Sequence, residues 1–174
     1  MGKKLNLLPV NLIVGKNGSG KTALCNLIMK QKDSSKKFLV KIRENPDILR
    51  LEQIYKYLYE FAYKKMHKPF HSDFHYYLIV DDYLLGCDVE KIQVFTEKIL
   101  KLSKTFKITF VLTSNQEGVI NTIPLINHHY LHRTERGKTR IYNHQNRIKQ
   151  IKEFQFIGLN NYDYFTSQYY RTYA

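Results

Sequence analysis

Continuous apolar runs alternate along the chain with segments in which apolar residues recur every three or four positions. The runs have the length of buried strands, and the spacing elsewhere is typical of amphipathic helices. Pro46 and Asp88 are typical of helix starts, in the first turn and at the cap respectively. The pattern predicts strands over residues 5–14, 37–42, 76–80 and 108–112, and helices over 20–32, 45–68, 88–102 and 118–125.

Nearer the C-terminus the pattern changes. Residues 130–134 and 139–143 flank a short polar turn, which predicts a β-hairpin, and residues 144–152 continue it as an exit strand. Strands that are apolar throughout and alternate with helices indicate a mostly parallel sheet with helices on both faces. The sequence thus predicts an α/β domain over residues 1–153 with a C-terminal antiparallel hairpin, followed by an aromatic-rich tail over 154–174.

The segment between the first predicted strand and helix carries a phosphate-binding motif. Residues 15–22 match G-x-x-x-x-G-K-[ST] without a mismatch, which makes the predicted fold that of a P-loop NTPase. Backbone N–H groups and the helix N-terminus would hold the phosphates of ATP. Lys21 is expected to reach the β- and γ-phosphates, and the Thr22 hydroxyl to bind Mg²⁺. The predicted nucleotide-binding residues are Gly15, Lys16, Asn17, Gly18, Ser19, Gly20, Lys21 and Thr22.

Two later strands end in polar residues that suit hydrolysis. The strand over 76–80 is followed by Asp81 and Asp82. We predict that Asp81 holds Mg²⁺ and that Asp82 orients or deprotonates the attacking water. The strand over 108–112 leads to Asn115 and Gln116, either of which can sense the γ-phosphate, and spacing alone does not choose between them.

The charge of the chain changes the picture of its partners. Lys and Arg number 28 against 15 Asp and Glu, a formal net charge of +13 over 174 residues, which favours polyanions, nucleic acid first and an anionic membrane surface second. Apolar runs fall short of the ~20 residues that span a bilayer, and no transmembrane segment is expected. Two cysteines cannot form a disulfide framework, which favours a reducing, cytoplasmic compartment.

Three weaker patterns have two interpretations each. The basic segment 130–152 either contacts nucleic-acid phosphates or is a solvated face. His67, His71, His75 and Asp73 have a spacing that metal ligands use, but a polar loop is the simpler interpretation. The aromatic residues of the tail either stack on bases or dock on the body of the domain or on a neighbouring subunit.

At residues 8–9, 15–22, 80–82 and 112–116 the chain resembles the FtsK/HerA superfamily of DNA-pumping ATPases. Within it, the chain is most similar to genome-packaging ATPases of poxviruses and membrane-containing icosahedral viruses. The resemblance implies ATP, Mg²⁺, double-stranded DNA, a homo-oligomeric ring and a capsid or membrane-associated viral partner, in host cytoplasm or virion. It also implies an arginine finger given to the neighbouring subunit, with Arg133, Arg136 and Arg140 as candidates; Arg133 is preferred because it lies on the predicted strand.

Two other functions fit the same residues. A small nucleoside or nucleotide kinase has this size, and the arginines near the hairpin would close over its phosphates. A nucleotide-gated adaptor would bind DNA or a protein and turn over slowly. The paired carboxylates suit activation of water better than a kinase, so a DNA-translocating ATPase is the preferred hypothesis.

Overall fold

The computed structural model of the chain describes residues 6–30, 36–41, 48–66, 76–106 and 108–172. Within these ranges the chain forms six strands and six α-helices. The strands are β1 (Val10–Val14), β2 (Lys36–Lys41), β3 (Tyr76–Asp81), β4 (Ile108–Ser114), β5 (His128–Arg133) and β6 (Thr139–Asn143). The helices are α1 (Lys21–Lys30), α2 (Ile48–Met66), α3 (Val89–Thr105), α4 (Glu117–Thr122), α5 (His144–Gln155) and α6 (Asn161–Thr166). The predicted histidine cluster at 67–75 lies outside the described residues.

All six strands form one sheet in the order β2-β3-β4-β1-β5-β6. Neighbouring strands are parallel except β5 and β6, which form the predicted antiparallel hairpin. Strand β4 therefore lies between β1 and β3, so its end lies between the phosphate-binding loop and the acid pair. The predicted α/β fold with a mostly parallel sheet is confirmed.

Alternate side chains of the central strands enter two different cores, as the pleat of a sheet requires. One set, including Leu12, Leu78 and Phe110, joins the larger core with residues of α2, α3, α4, α5 and α6. The other set, including Ile13 and Ile79, packs against α1. Helices thus cover both faces, which explains why these strands are apolar at every position.

Residues 144–155 are a helix, so the prediction of an exit strand after the hairpin is wrong. Asn143 ends β6 and caps α5: its side chain accepts from Gln145 N, while Asn146 Oδ1 accepts from Asn143 N. This reciprocal cap satisfies backbone donors that the first turn of a helix leaves free. Ile151 and Phe154 are buried in the larger core, and their burial holds the helix in place.

Most of the described aromatic residues from Phe154 onward belong to the same core as the rest of the domain, whereas Phe156 is exposed. Phe154, Tyr164 and Tyr170 are buried, and the ring of Tyr170 lies parallel to that of Tyr130 on β5, with centroids 4.7 Å apart. Such burial leaves the rings of Phe154 and Tyr164 inaccessible to nucleic-acid bases. Within the described part of the chain no helix is both long and apolar enough to cross a membrane.

Two histidines at the start of β5 are buried as neutral rings. The hydrogen-bonding groups around them fit one tautomer: His128 Nε2 donates to Ile123 O at 2.9 Å, and His129 Nε2 donates to Asn11 Oδ1 at 3.0 Å. Burial lowers the pKa of His128 to about 3 and that of His129 to about 4. Protonation of either ring would place an unsolvated charge in the core.

We therefore expect the protein to lose stability at pH values well above those at which carboxylates titrate. The unfolded state binds protons near the ordinary histidine pKa of 6.5 and the folded state does not, so stability is full above that pKa and falls below it. Between pH 7 and pH 5 the free energy of unfolding should drop by about 2 kcal/mol for each histidine. Urea unfolding at the two pH values measures this.

The variant His129→Gln keeps a donor and an acceptor but binds no proton. It should remove about half of the pH-dependent loss. Equal stability of the unmodified protein at pH 7 and pH 5 would contradict the assignment of neutral buried rings.

Candidate nucleotide site

The loop between β1 and α1 has the shape that close approach of its backbone to phosphate requires. Gly18 and Gly20 have φ of 75° and 102°, in the left-handed region that side chains disfavour. A Cβ at Gly15 would lie 2.3 Å from Ser19 Oγ and 3.1 Å from Leu131 O, so a side chain there would force Ser19 to move. Ser19 N donates to Lys16 O at 3.1 Å and closes the turn. The loop leads into α1, whose first N–H groups face the same space.

Lys21, the first residue of α1, reaches back across this loop. Its Nζ donates to Gly15 O at 2.7 Å. Burial lowers the pKa of Lys21, while the negative charges of Asp82 and Asp81 act in the opposite direction. The ammonium group is thus held at the loop, partly removed from water, where a charge interacts with phosphate more strongly than in bulk solvent.

Asp81 and Thr22 are brought together by β3 and α1. Thr22 Oγ1 donates to Asp81 Oδ2 at 3.0 Å. The other carboxylate oxygen, Oδ1, accepts from Thr113 Oγ1 at 2.7 Å. A hydroxyl and a carboxylate side by side are hard oxygen ligands, the kind that Mg²⁺ prefers while it keeps part of its water shell. The residues present therefore fit a magnesium ion beside the phosphate loop.

Thr113 is a site residue that the sequence patterns did not indicate. It lies on β4, where Val80 of β3 pairs with Leu112, so the end of β3 meets Thr113. Besides its bond to Asp81, Thr113 Oγ1 accepts from Asp82 N at 2.8 Å, and Thr113 O accepts from Tyr83 N at 2.8 Å. Thr113 therefore holds both carboxylate residues in position. The sequence does show that β3 and β4 both end in polar residues, and neighbouring parallel strands place such ends side by side.

Asp82 differs from Asp81 in exposure and in backbone conformation. Its side chain is exposed, and its φ of 52° is left-handed, a conformation that aspartate and asparagine tolerate better than most residues. This turn of the chain directs the two consecutive carboxylates differently. Both also act on α1, because burial first, then Asp81 and Asp82, raise the pKa of the Cys25 thiol to about 12. Asp82 is thus placed to meet water, and Asp81 to meet a bound cation.

Asn115 and Gln116, which the sequence left as equal candidates, have different contacts. Asn115 Nδ2 donates to Asn17 Oδ1 in the phosphate loop at 3.1 Å. The Gln116 amide lies 2.7 Å from both Leu84 O and Gly86 N, in the turn after β3, and one orientation of the amide satisfies both groups. Asn115 therefore lies at the phosphate loop, whereas Gln116 braces the turn.

The hairpin touches the outer side of the same loop. Arg133 Nη1 donates to Gly18 O at 3.4 Å, and Thr139 Oγ1 donates to Ser19 O at 3.2 Å. Arg133 is thus exposed and in contact with the loop of its own chain. A cavity of about 360 Å³ opens between loop and hairpin. Its lining residues are Lys16, Asn17, Gly18, Ser19, Leu131, His132, Arg133, Gln168 and Tyr170.

The sheet, the loop and the aligned strand ends together define the fold of a P-loop NTPase. No protein-family model and no curated protein matches the chain. Among solved structures it is similar to PCH-2 from C. elegans, with 16% identity and a TM-score of 0.48. It is also similar to the cytoplasmic domain of the type VII secretion ATPase EccC from Thermomonospora curvata, with 13% identity and a TM-score of 0.43.

These matches cover 72% and 71% of this chain. The chain spans about a third and a fifth of the two proteins, 36% of PCH-2 and 19% of EccC.

Proposed function

We propose that the chain is an ATPase that hydrolyses ATP with Mg²⁺ and uses the reaction to move DNA. The observation that carries the ATPase proposal is the convergence of Lys21, Thr22, Asp81, Asp82 and Asn115 on one phosphate loop. Three hydrogen bonds around the loop join residues at least 59 positions apart in the sequence. They join Thr22 to Asp81, Asn115 to Asn17, and Arg133 to Gly18. Such a convergence is the arrangement that phosphoryl transfer to water requires.

Each residue then has a distinct part in the reaction. The loop N–H groups and Lys21 bind the β- and γ-phosphates and stabilise the charge that builds up on them. Thr22 and Asp81 hold Mg²⁺, which when bound neutralises phosphate charge and orients the phosphate chain. Asp82 orients the attacking water and accepts its proton. Asn115 places an amide donor beside the γ-phosphate.

The cavity between the loop and the hairpin supports a place for the nucleoside. It adjoins the phosphate loop, and its walls include Leu131 and the buried ring of Tyr170 next to the polar His132 and Gln168. Apolar walls with a few polar groups suit a nucleobase. Arg133, at the rim of this cavity, remains our candidate for the finger that meets charge on the phosphates.

Translocation in a homo-oligomeric ring of the viral genome-packaging type is the finer part of the proposal. It is supported by the motif resemblance at 15–22, 80–82 and 112–116 and by the net charge of +13. Such a motor would act in the cytoplasm of a host cell or in the virion, with a capsid or membrane-associated protein as a further partner. DNA is the proposed track because a surplus of positive charge favours a polyanion.

One assay separates this function from the kinase and adaptor alternatives. Phosphate release from ATP should be magnesium-dependent and should rise when double-stranded DNA is added. A parallel scan of nucleosides and nucleotides as phosphate acceptors should show no transfer. Transfer to an acceptor in place of phosphate release would establish a kinase, and tight ATP binding with negligible turnover would establish the adaptor.

A further inference from the structure

A second cavity, which we call the basic cavity, is also lined by residues of the hairpin. Its volume is about 530 Å³. It is lined by His132, Thr134, Glu135, Arg136, Lys138, Arg140, Tyr142 and Arg171. Four of these residues are permanent cations and one is an acid. The sequence had indicated the basic residues of the hairpin but not Arg171, which lies 31 positions after Arg140.

The two faces of the hairpin carry different side chains, because successive side chains of a strand alternate. Arg133 pairs with Thr139, and both side chains contact the phosphate loop. The neighbouring pair, His132 and Arg140, must point to the opposite face, because successive side chains of a strand alternate. That face carries the basic cavity. The hairpin therefore contacts the phosphate loop with Arg133 and Thr139 and presents cations on the opposite face.

Arg171 reaches this face because the C-terminal segment folds back over it. A 3-10 turn, Tyr169–Arg171, begins after Gln168, whose φ of 56° reverses the chain. Tyr170 is stacked on Tyr130 in the core, and its carbonyl accepts from Arg147 Nε at 2.8 Å. Tyr170 is thus held both by its ring and by its carbonyl oxygen, and Arg171 follows it directly in the chain.

The cations of the basic cavity are not neutralised by neighbouring acids. Among the described residues, the salt bridges involve neither Arg136, Lys138 and Arg140 nor Arg171. Glu135 lines the cavity but forms none of these pairs. The pKa of His132 is lowered by burial and then by the positive charges of Arg171, Arg140 and Lys16. The site therefore has a positive potential, and within the described part of the chain no salt bridge pairs its guanidinium groups with an acid.

We propose that the basic cavity binds the backbone phosphates of DNA; this inference rests on the proposed function, since it locates the DNA contact of that ATPase. Arginine donates in a fork that matches two phosphate oxygens, and three of the four cations are arginines. The cations come from the hairpin turn, from β6 and from the C-terminal turn, so they are spread over a surface that successive phosphates can follow. Contacts of this kind are independent of base sequence.

The basic cavity lies close to the cavity beside the phosphate loop, so DNA bound in one can affect nucleotide bound in the other. His132 lines both the basic cavity and the cavity beside the phosphate loop. DNA in the basic cavity and nucleotide in the cavity beside the phosphate loop would therefore both adjoin His132. This arrangement provides a short route by which DNA alters the nucleotide site.

The test measures binding of a fluorescent 20-base-pair duplex by anisotropy, without nucleotide, between 50 and 200 mM salt. The cavity variant is Lys138→Gln with Arg171→Gln. The control is Lys101→Gln with Lys104→Gln, which removes the same charge from exposed positions on α3. This helix connects β3 and β4, which β1 separates from the hairpin in the sheet. Thermal unfolding establishes that both variants are folded.

We expect the cavity variant to bind the duplex at least about ten-fold more weakly than the unmodified protein. The slope of its affinity against salt concentration should fall by about two units, one for each lost phosphate contact. The control should retain the slope of the unmodified protein. Equal losses in both variants would overturn the proposal, because only net charge would then matter. Displacement of the duplex by millimolar inorganic phosphate would also overturn it in favour of a small-anion site. Because the assay contains no nucleotide, a failure of ATP hydrolysis leaves its result intact.

Discussion

Replacing Lys21 by alanine is expected to lower ATP hydrolysis by about 100-fold or more, because the variant loses the cation that meets charge on the β- and γ-phosphates. The fold should survive. Lys21 Nζ donates to carbonyl oxygens of its own loop, at 2.7 Å to Gly15 O and 3.5 Å to Lys16 O, and alanine is the best helix former at the start of α1. Phosphate release under saturating ATP measures the loss.

The matched control is Lys30→Ala, which removes the same charge from the same helix at its exposed C-terminal end. Nine residues of helix place it about 14 Å along the axis from Lys21. It should keep full turnover and lose only a few tenths of a kcal/mol of stability from the helix dipole. Normal turnover of a folded Lys21→Ala protein would refute the nucleotide site.

Asp82→Asn is expected to bind Mg²⁺ and ATP normally and to lose hydrolysis, by about 100-fold or more, since an amide cannot accept the proton of water. Backbone strain does not confuse the result. The φ of Asp82 is 52°, and asparagine occupies the left-handed region at least as readily as aspartate. Single-turnover hydrolysis and equilibrium binding of a fluorescent ATP analogue separate the two effects.

Asp81→Asn should behave differently, because Asp81 accepts from Thr22 and Thr113 with its two oxygens. The amide has one acceptor oxygen and no charge, so magnesium should no longer tighten ATP binding. The exposed Glu90→Gln on α3 serves as a charge-matched control with normal binding and turnover. If Asp82→Asn hydrolyses at the normal rate while another acid proves essential, the roles of the two carboxylates are wrongly assigned.

Local patterns were sufficient for most of the elements and for most of the candidate site. The match at 15–22 predicted both the loop and the helix that follows it, because the glycines and the first residues of α1 are adjacent in sequence. Asp88 predicted the start of α3, and its side chain accepts from Lys91 N at 2.9 Å. Each of these features depends on residues within a few positions of one another.

The predictions that were incomplete or wrong depended on contacts between distant segments. Asn115 and Gln116 are equivalent in sequence, but only the turn after β3 occupies the amide of Gln116. Residues 144–152 looked like a basic strand because the sequence does not show that Ile151 packs against the larger core. Local propensity is a weak guide where burial decides the conformation.

By itself the sequence determined that this chain is an α/β protein with a phosphate loop, a strand-ending acid pair and a surplus of positive charge. The tertiary structure decided which residues share the site. The parallel register of β3 and β4 places Thr113 at Asp81, and the folded-back C-terminus carries Arg171 to the hairpin. The physical reason is that spacing along the chain is local information, whereas strand order and core packing join residues that the sequence separates.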